Sequence, residues 1–354
     1  MNAPTVTRRQ GLAIGAGLLG VLVLGLVVDG GRQFVGEIAG VISVSYLGSA
    51  LRFTVPIAFA AMGGIFAEKS GVINIGLEGL LIVGAFSSIA TMYALGSESV
   101  PIEPNPWLAL LGAIFASTLI ALLFAIVCIE FKADQIIAGL AVWLIALGAA
   151  PFLSVVIWNR RSSPGNVGTF SSISIPGLSA LPGVGQIFEV SPQVLLLLVA
   201  VPVSWYLLNR TTFGMWLEAS GEDPKSLDTA GVDVRKVRYA GVLLSGVYCG
   251  IGGAGWALNV GQFTGTGDTM IDGRGWIGLT AYLIGNYNPI GAFLASFLFA
   301  ALDALQIELQ QIAAYDISST LVGIIPYVAV LVVLTFVGRT RMPSAAGEHY
   351  DSDE

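Results

Sequence analysis

The chain has 354 residues, 55% of them hydrophobic and only 11% charged, with a mean hydropathy of +0.81. A soluble domain carries about 25% charged residues, so there are too few charges here to cover a water-facing surface. This excludes a soluble enzyme or nucleic-acid binder and points to the lipid bilayer as solvent. Glycine is abundant, 45 residues, and small residues let membrane helices approach closely. The net charge of −7 comes partly from the end of the chain, where Glu348, Asp351, Asp353 and Glu354 read as a solvated acidic tail. Cys128 and Cys249 both sit in apolar runs, which makes a disulfide framework unpromising. The single histidine, His349, lies in the tail, so no histidine-based metal site or catalytic triad can be built.

Apolar stretches of about 20 residues read as membrane helices. Ten are expected, near 11–28, 46–66, 72–95, 107–129, 135–158, 191–209, 239–260, 266–285, 290–311 and 317–337. Arg52 interrupts the second, and Gly and Asp residues interrupt the start of the eighth. Thr7-Arg8-Arg9-Gln10 resembles a twin-arginine export signal. No small-residue cleavage site follows at Val27-Val28-Asp29, so an uncleaved first helix is the preferred reading. With the N-terminus in the cytoplasm, the inner segments hold Arg8, Arg9, Lys69, Lys132, Arg210, Lys225, Arg235, Lys236, Arg238, Arg339 and Arg341. The outer loops then hold Arg32, Arg160, Arg161 and Arg274. Eleven against four obeys the positive-inside rule and places both termini inside. The expected organisation is an N-terminal segment with the first span (1–45), a transmembrane domain (46–338) and an acidic cytoplasmic tail (339–354).

Nucleotide motifs separate an ATPase from a passive membrane unit. The stretch Gly63–Ser70 approaches the phosphate-loop pattern, but Glu68 stands where the pattern needs Gly. A carboxylate there repels phosphate, and no strand precedes it. Gly250, Gly252 and Gly255, and again Gly273, Gly275 and Gly278, match a dinucleotide-binding spacing that this glycine content produces by chance, and the first set lies inside a membrane helix. Gly246, Gly250 and Ala254 instead form a small-residue stripe suited to helix packing.

Two loops are long. The outer one, 159–190, is rich in Ser, Gly and Pro; the inner one, 210–238, is polar and charged. Within the inner loop Asp223 suits an N-cap, Pro224 the first helical position and Gly231 a helix stop, which predicts a two-turn helix near 224–230. A helix that short must dock on something, either its own subunit or a cytoplasmic motor.

Polar residues in or beside the spans are Arg52, Asn74, Glu78, Asp134, Asp303 and Glu308. Intramembrane charges are functional candidates by default, with mutual neutralisation of Arg52 by Glu78 or Asp303 as the competing reading. Two Gly-interrupted apolar starts, Gly71–Gly79 and Asp272–Gly278, fall in different halves of the chain. Broken segments of this kind point to a transport path.

The run Pro56–Phe86, with its Asn74-Ile75-Gly76-Leu77-Glu78-Gly79 core, resembles the integral-membrane permeases of ATP-binding-cassette (ABC) importers. It is most similar to the nucleoside and simple-sugar branch, related to the ribose and branched-chain amino-acid permeases. Ala133–Leu140, Gly214–Gly231, Leu244-Ser245-Gly246, Gly273–Ala281 and Gly285–Ala292 extend the resemblance over roughly 50–305. It implies an all-α polytopic permease of about ten transmembrane helices, some broken or re-entrant, in the cytoplasmic membrane and without catalysis or cofactor of its own. The implied partners are a second, related permease in a heterodimer, two cytoplasmic ATPases, an extracytoplasmic substrate-binding protein and a small polar solute, with no nucleic acid.

On this resemblance Asn74, Glu78, Arg52 and Asp303 are candidates for the substrate pathway. Glu218, Gly221, Asp223, Pro224, Asp228 and Gly231 are candidates for ATPase coupling, and the adjacent pair Arg160 and Arg161, at a membrane exit, for docking the binding protein, with headgroup anchoring as the rival role. Nucleosides are the expected solute class, with simple sugars or branched-chain amino acids as alternatives. A self-contained ion-driven transporter remains a competing function. A membrane-embedded enzyme would need acid, base or metal ligands clustered at one depth, which the sequence does not offer.

Overall fold

In the computed structural model, residues 44–96, 105–165, 168–174, 189–311 and 341–350 are described. The expected first and last spans, 11–28 and 317–337, lie outside these residues. Ten helices follow in order: α1 Val44–Lys69, α2 Leu77–Leu95, α3 Pro106–Ala125, α4 Gln135–Trp158, α5 Pro192–Arg210, α6 Thr212–Glu222, α7 Pro224–Thr229, α8 Val234–Val260, α9 Arg274–Ile284 and α10 Pro289–Gln311. A π-helical turn, Ile126–Glu130, continues α3. Two short strands, β1 Ile173–Ser174 and β2 Glu189–Val190, pair antiparallel and close the long loop between α4 and α5. Helices α1, α2, α3, α4, α5, α8 and α10 are long and apolar enough to cross a bilayer. The protein is thus an all-α, multi-pass membrane protein.

Local chemistry sets the helix ends. Asn105 accepts the Trp107 N–H ahead of Pro106 and starts α3. Asp134 accepts the Ile137 N–H at 2.9 Å and starts α4, so this candidate pathway residue is an exposed cap. Asp233 accepts the Lys236 N–H and starts α8, which ends on Gly261 in the left-handed region.

Helices α1, α2 and α8 form the centre. Phe59, Phe66, Leu81 and Ile82 are buried there, and Tyr248 stacks on Phe66 with centroids 5.5 Å apart. The small-residue stripe on α8 lies against α3. A Cβ on Gly246 would stand 2.8 Å from the Thr118 Cα, and one on Gly250 2.7 Å from the Ile114 Cα. Backbones approach this closely only where a side chain is absent. Helix α4 is peripheral and exposes Ile137, Leu144, Ile145 and Phe152.

Three expectations need correction. The eighth crossing is not one continuous helix over 266–285. The chain leaves α8 at Gly261, stays non-helical to Gly273, and turns helical only over the eleven residues of α9. The non-helical part begins beside α4's far end, where Ser163 and Phe263 exchange backbone N–H···O and N–H···Oγ bonds (2.9 and 2.8 Å). The crossing finishes beyond α9 at Asn286, whose Oδ1 accepts the Arg341 N–H at 3.0 Å. The chain therefore still passes from one end of the molecule to the other.

The inner loop holds two helices rather than one. Helix α7 matches the expected two-turn helix, with Asp223 accepting the Ser226 N–H and Gly231 at φ +82° ending it. Helix α6, capped by Thr211 through the Gly214 N–H, was not anticipated. In the tail Glu348 is exposed as expected and Asp351, Asp353 and Glu354 lie outside the described residues, but residues 341–350 also lie across this loop. Ala345 N–H donates to Gly221 O (2.8 Å), Gly347 N–H to Gly71 O (3.0 Å) and the Tyr350 hydroxyl to Asp228 (2.9 Å).

The α3–α8 seam gives a direct test. Gly250→Ile places a branched side chain against the α3 backbone and is expected to lower stability by ~2 kcal/mol or more. Gly48→Ala, where nothing lies within 4 Å of the added carbon, is expected to be neutral or slightly stabilising. Thermal unfolding of both variants in detergent, followed by circular dichroism, would check the contrast.

Candidate functional site: two broken helices joined by buried glutamates

The segment between α1 and α2, residues 70–76, is non-helical and mostly buried. Irregular backbone at membrane depth survives only where the protein itself satisfies its polar groups. Here much of it is accounted for. The Gly71 and Val72 N–H groups donate to Glu68 O and Ala67 O (2.9 and 3.2 Å). Ile73 N–H donates to the side chain of Gln135 (2.7 Å), and Gly76 N–H to Asn74 Oδ1 (3.0 Å). The Ser70 and Gly71 carbonyls accept from the Ser220 hydroxyl (2.7 Å) and the Gly347 N–H. Asn74 is buried and ties the segment to α8 by donating to Ser245 Oγ (2.9 Å).

Glu78 lies one turn further on, in the first turn of α2, with 2% of its surface exposed. Its Oε1 accepts the Gly273 N–H (2.8 Å) and its Oε2 the Gly275 N–H (2.6 Å). These are unsatisfied donors at the start of α9. A carboxylate from one broken helix thus caps the other, and it also lies at the positive end of both helix dipoles. Gly275 is required: a Cβ there would stand 2.5 Å from the Glu78 Cα.

The other end of α9 is held by a second buried carboxylate. Glu68, in the last turn of α1, accepts the hydroxyls of Tyr282 (2.5 Å) and Tyr287 (2.6 Å). The residue that breaks the phosphate-loop pattern is therefore a structural acceptor.

The remaining candidates separate. Asp303 on α10 pairs with Arg274 at 3.2 Å, and the Arg274 guanidinium lies 4.4 Å from the centroid of the Trp256 ring. Arg274 is thus an internal cation of the broken crossing rather than an outer-loop charge. Arg52 neutralises neither Glu78 nor Asp303. It is exposed on α1 and donates to Ser49 Oγ at 3.1 Å, because the partners proposed for it are already satisfied by α9. Asn74, Glu78 and Asp303 all contact either the unwound segment before α2 or the start of α9; Arg52 does not.

The coupling candidates lie on α6–α7. Glu218 is exposed and 3.9 Å from Lys69 at the end of α1. Gly221 is buried, and a Cβ there would stand 2.5 Å from Lys69 O, so it seats α6 on α1. Asp223 is exposed, with the Ser226 hydroxyl and then the Ser226 N–H holding its carboxyl below the ordinary range. Pro224 starts α7, Asp228 receives the Tyr350 hydroxyl, and Gly231 is exposed. Arg160 and Arg161 are exposed just past the end of α4, at the opposite end of the molecule from α6–α7. Among the described residues no group of three His, Cys, Asp or Glu side chains could hold a metal ion.

Sequence reasoning missed Glu68, Tyr282, Tyr287, Arg274 and Ser245 as members of this network. Their partners lie 29 to 219 residues away in the chain, and no local pattern marks them. Only the cost of a carboxylate in an apolar run, applied to Glu68 as it was to Glu78, could have singled one out.

Helices that cross the membrane, two interrupted segments joined in the interior and a helical pair projecting from one end define a membrane permease. The family model for the branched-chain amino acid transport system permease component matches residues 46–334, and the chain belongs to that family of ABC-transport permeases. It is 37% identical over 305 residues to the guanosine ABC transporter permease protein NupQ of Bacillus subtilis, covering 85% of this chain and 94% of the relative. It is 36% identical over 309 residues to the nucleoside ABC transporter permease protein NupC of Lactococcus lactis, with 85% and 94% covered. A putative glucose ABC transporter permease protein, TsgC13 of Haloferax volcanii, is 30% identical over 342 residues, with 88% and 99% covered. No solved structure matches.

The Glu78 cap predicts an order of effects. Glu78→Ala leaves two buried N–H groups without an acceptor, at about 1–3 kcal/mol each, and is expected to lower the unfolding temperature clearly. Glu78→Gln keeps one acceptor and should fall between the two. Equal loss from both substitutions in a detergent melt would contradict the capping role.

Proposed function

We propose that this chain is one permease subunit of an ATP-driven importer for nucleosides, and that it pairs with a second, related permease. The observation that carries the coupling part is the α6–α7 pair. It projects from the Lys- and Arg-rich end, which the positive-inside rule puts in the cytoplasm. Lys69, Gly221 and Ser220 also bind it to the end of α1 and the unwound segment before α2. Movement of α6–α7 by two cytoplasmic ATPases would pass directly into that segment. The chain has no intact nucleotide motif, so the energy comes from those partners.

The solute class rests on the relatives, two of which are described as guanosine or nucleoside permeases. A simple sugar is the second reading, favoured by the Haloferax relative. In this scheme Asn74, Glu78, Arg274 and Asp303 position the broken helices that border the solute path. Arg52 has the weakest support, since it contacts none of them. The extracytoplasmic binding protein delivers solute at the end carrying Arg160 and Arg161.

The test is uptake by the full importer in proteoliposomes. Labelled guanosine is expected to accumulate only with ATP, the ATPases and the binding protein, and more readily than glucose or leucine. Uptake driven by an ion gradient without the ATPases would overturn the reading. Asp223→Ala and Gly231→Val should each lower transport severalfold with membrane levels unchanged, because the first removes the α7 cap and the second forces φ +82° on a β-branched residue. Normal coupling in both variants would sink the role assigned to α7.

Reversing Arg160 and Arg161 to Glu should weaken stimulation by the binding protein without affecting assembly. Long-range charge attraction falls with ionic strength, so the wild-type stimulation should also decline as salt is raised. Salt-independent stimulation with unaltered transport in the double variant would leave these arginines as headgroup anchors.

A further inference from the structure

We propose that residues 341–350 form a strap through which the position of α6–α7 is passed to the unwound segment before α2, with buried Arg238 as its anchoring residue. The proposal rests on the coupling reading of α6–α7 and adds a second, physically separate connection to it.

One side of the strap holds the helical pair. Ala345 N–H donates to Gly221 O (2.8 Å), the Ser344 hydroxyl to Glu222 (2.8 Å) and the Tyr350 hydroxyl to Asp228 (2.9 Å). A Cβ placed on Gly221 would also meet the Pro343 side chain at 3.1 Å. The other side holds the membrane segment. Gly347 N–H donates to Gly71 O (3.0 Å), and the Gly347 Cα faces the Ile73 side chain so closely that a Cβ would stand 3.0 Å from its Cδ1. Ile73 precedes Asn74, which binds α8, and Gly71 lies near the start of the 70–76 segment that leads into α2 and Glu78.

Arg238 joins the two sides from below. It is 4% exposed, near the start of α8, and its Nη1 donates to Glu348 O at 2.7 Å. Its Nε and Nη2 have no hydrogen-bond partner among the described residues and lie near Gly71, where a Cβ would be 3.1 Å from Nη2. A guanidinium this buried is costly, and among the described residues the strap supplies its acceptor, Glu348 O. Gly347 adopts φ +85°, which lets the strap turn from the helical pair onto Gly71. The ten residues thus touch α6, α7, α8 and the 70–76 segment. Helix α6 reaches that segment independently through Ser220 and Lys69, whereas α7 is tied to it by the strap.

The experiment uses the complete importer in vesicles. Gly347→Pro removes the N–H given to Gly71 O and is incompatible with a positive φ; a stop codon replacing Pro343 removes every strap residue that touches α6, α7, α8 or Gly71. Each is combined with Ile73→Cys and labelled with a membrane-impermeant thiol reagent, the native Cys128 and Cys249 both being buried. Both strap variants are expected to speed labelling at position 73 by about tenfold, the change for loss of one or two net hydrogen bonds. They should also lower the solute moved per ATP hydrolysed severalfold while the ATPases still co-purify. Tyr350→Phe, which loses only the bond to Asp228, should lower that ratio with less effect on labelling.

Unchanged labelling would overturn the contact. Faster labelling with an unchanged transport-to-ATP ratio would make the strap a local cover and overturn the transmission. Loss of the ATPases from the strap variants alone would make it a docking element and overturn it as well. A parent importer that fails to retain ATPases would instead sink the coupling reading beneath it, an outcome visible before any strap variant is made.

Discussion

The Glu78 carboxylate holds the rest of this structure in register. A helix that begins inside the membrane exposes backbone donors where no water can meet them. Helix α9 begins there because the preceding crossing is unwound, and its first donors are met by a side chain from the other interrupted helix. The start of α9 therefore depends on α2, and the close seating of Gly275 on the Glu78 backbone makes the junction tight as well as polar. Glu68 repeats the arrangement at the opposite end of α9 with phenols as donors.

A short helix with a buried carboxylate at each end is a body with defined attachment points. One point is on α2, whose approach segment is bound to α4, α6, α8 and the C-terminal strap. The other is on α1, whose last residue faces α6. A shift of the helical pair can thus reach the α2 end of α9 through the buried Ser220–Ser70 hydrogen bond, which holds its geometry better than an exposed one because water does not compete for it, and the α1 end through the exposed Lys69–Glu218 pair and the close seat of Gly221 on Lys69 O. On the proposed reading, this is how an energy source outside the chain could act on its interior.

Much of the architecture was legible because lipid imposes a coarse and local rule. An apolar run of sufficient length must be a helix, and the bounds of α3, α4, α5 and α10 fall close to those read from composition. Helix α7 was legible for a different local reason: Asp223, Pro224 and Gly231 each specify a backbone geometry on their own. Helix α6 was overlooked because attention went to those caps, although Thr211 and the buried Leu217 and Ser220 mark it. The site itself was only half visible. Asn74 and Glu78 announced themselves as polar groups in an apolar run, but their partners are set by tertiary packing. Arg274 was misassigned to a loop because the unwound half of a broken crossing and an outer loop have the same composition. The docking of the strap was not legible because the acidity of Glu348, which is exposed, says nothing about where the neighbouring backbone N–H groups go.

The glycine seam on α8 has a consequence for biogenesis. Helix α8 carries six glycines and three cationic residues in its first turns, so it offers lipid little to recommend it as a lone span. Helices α3 and α4, with leucine, isoleucine and phenylalanine facing outward, can partition into the bilayer unaided. Helix α8 would then enter lipid packed against α1, α2 and α3, whose backbones and side chains occupy the space its missing side chains leave open. In such a chain the order of synthesis matters: the spans least able to enter lipid alone are made after some of their partners are already waiting there.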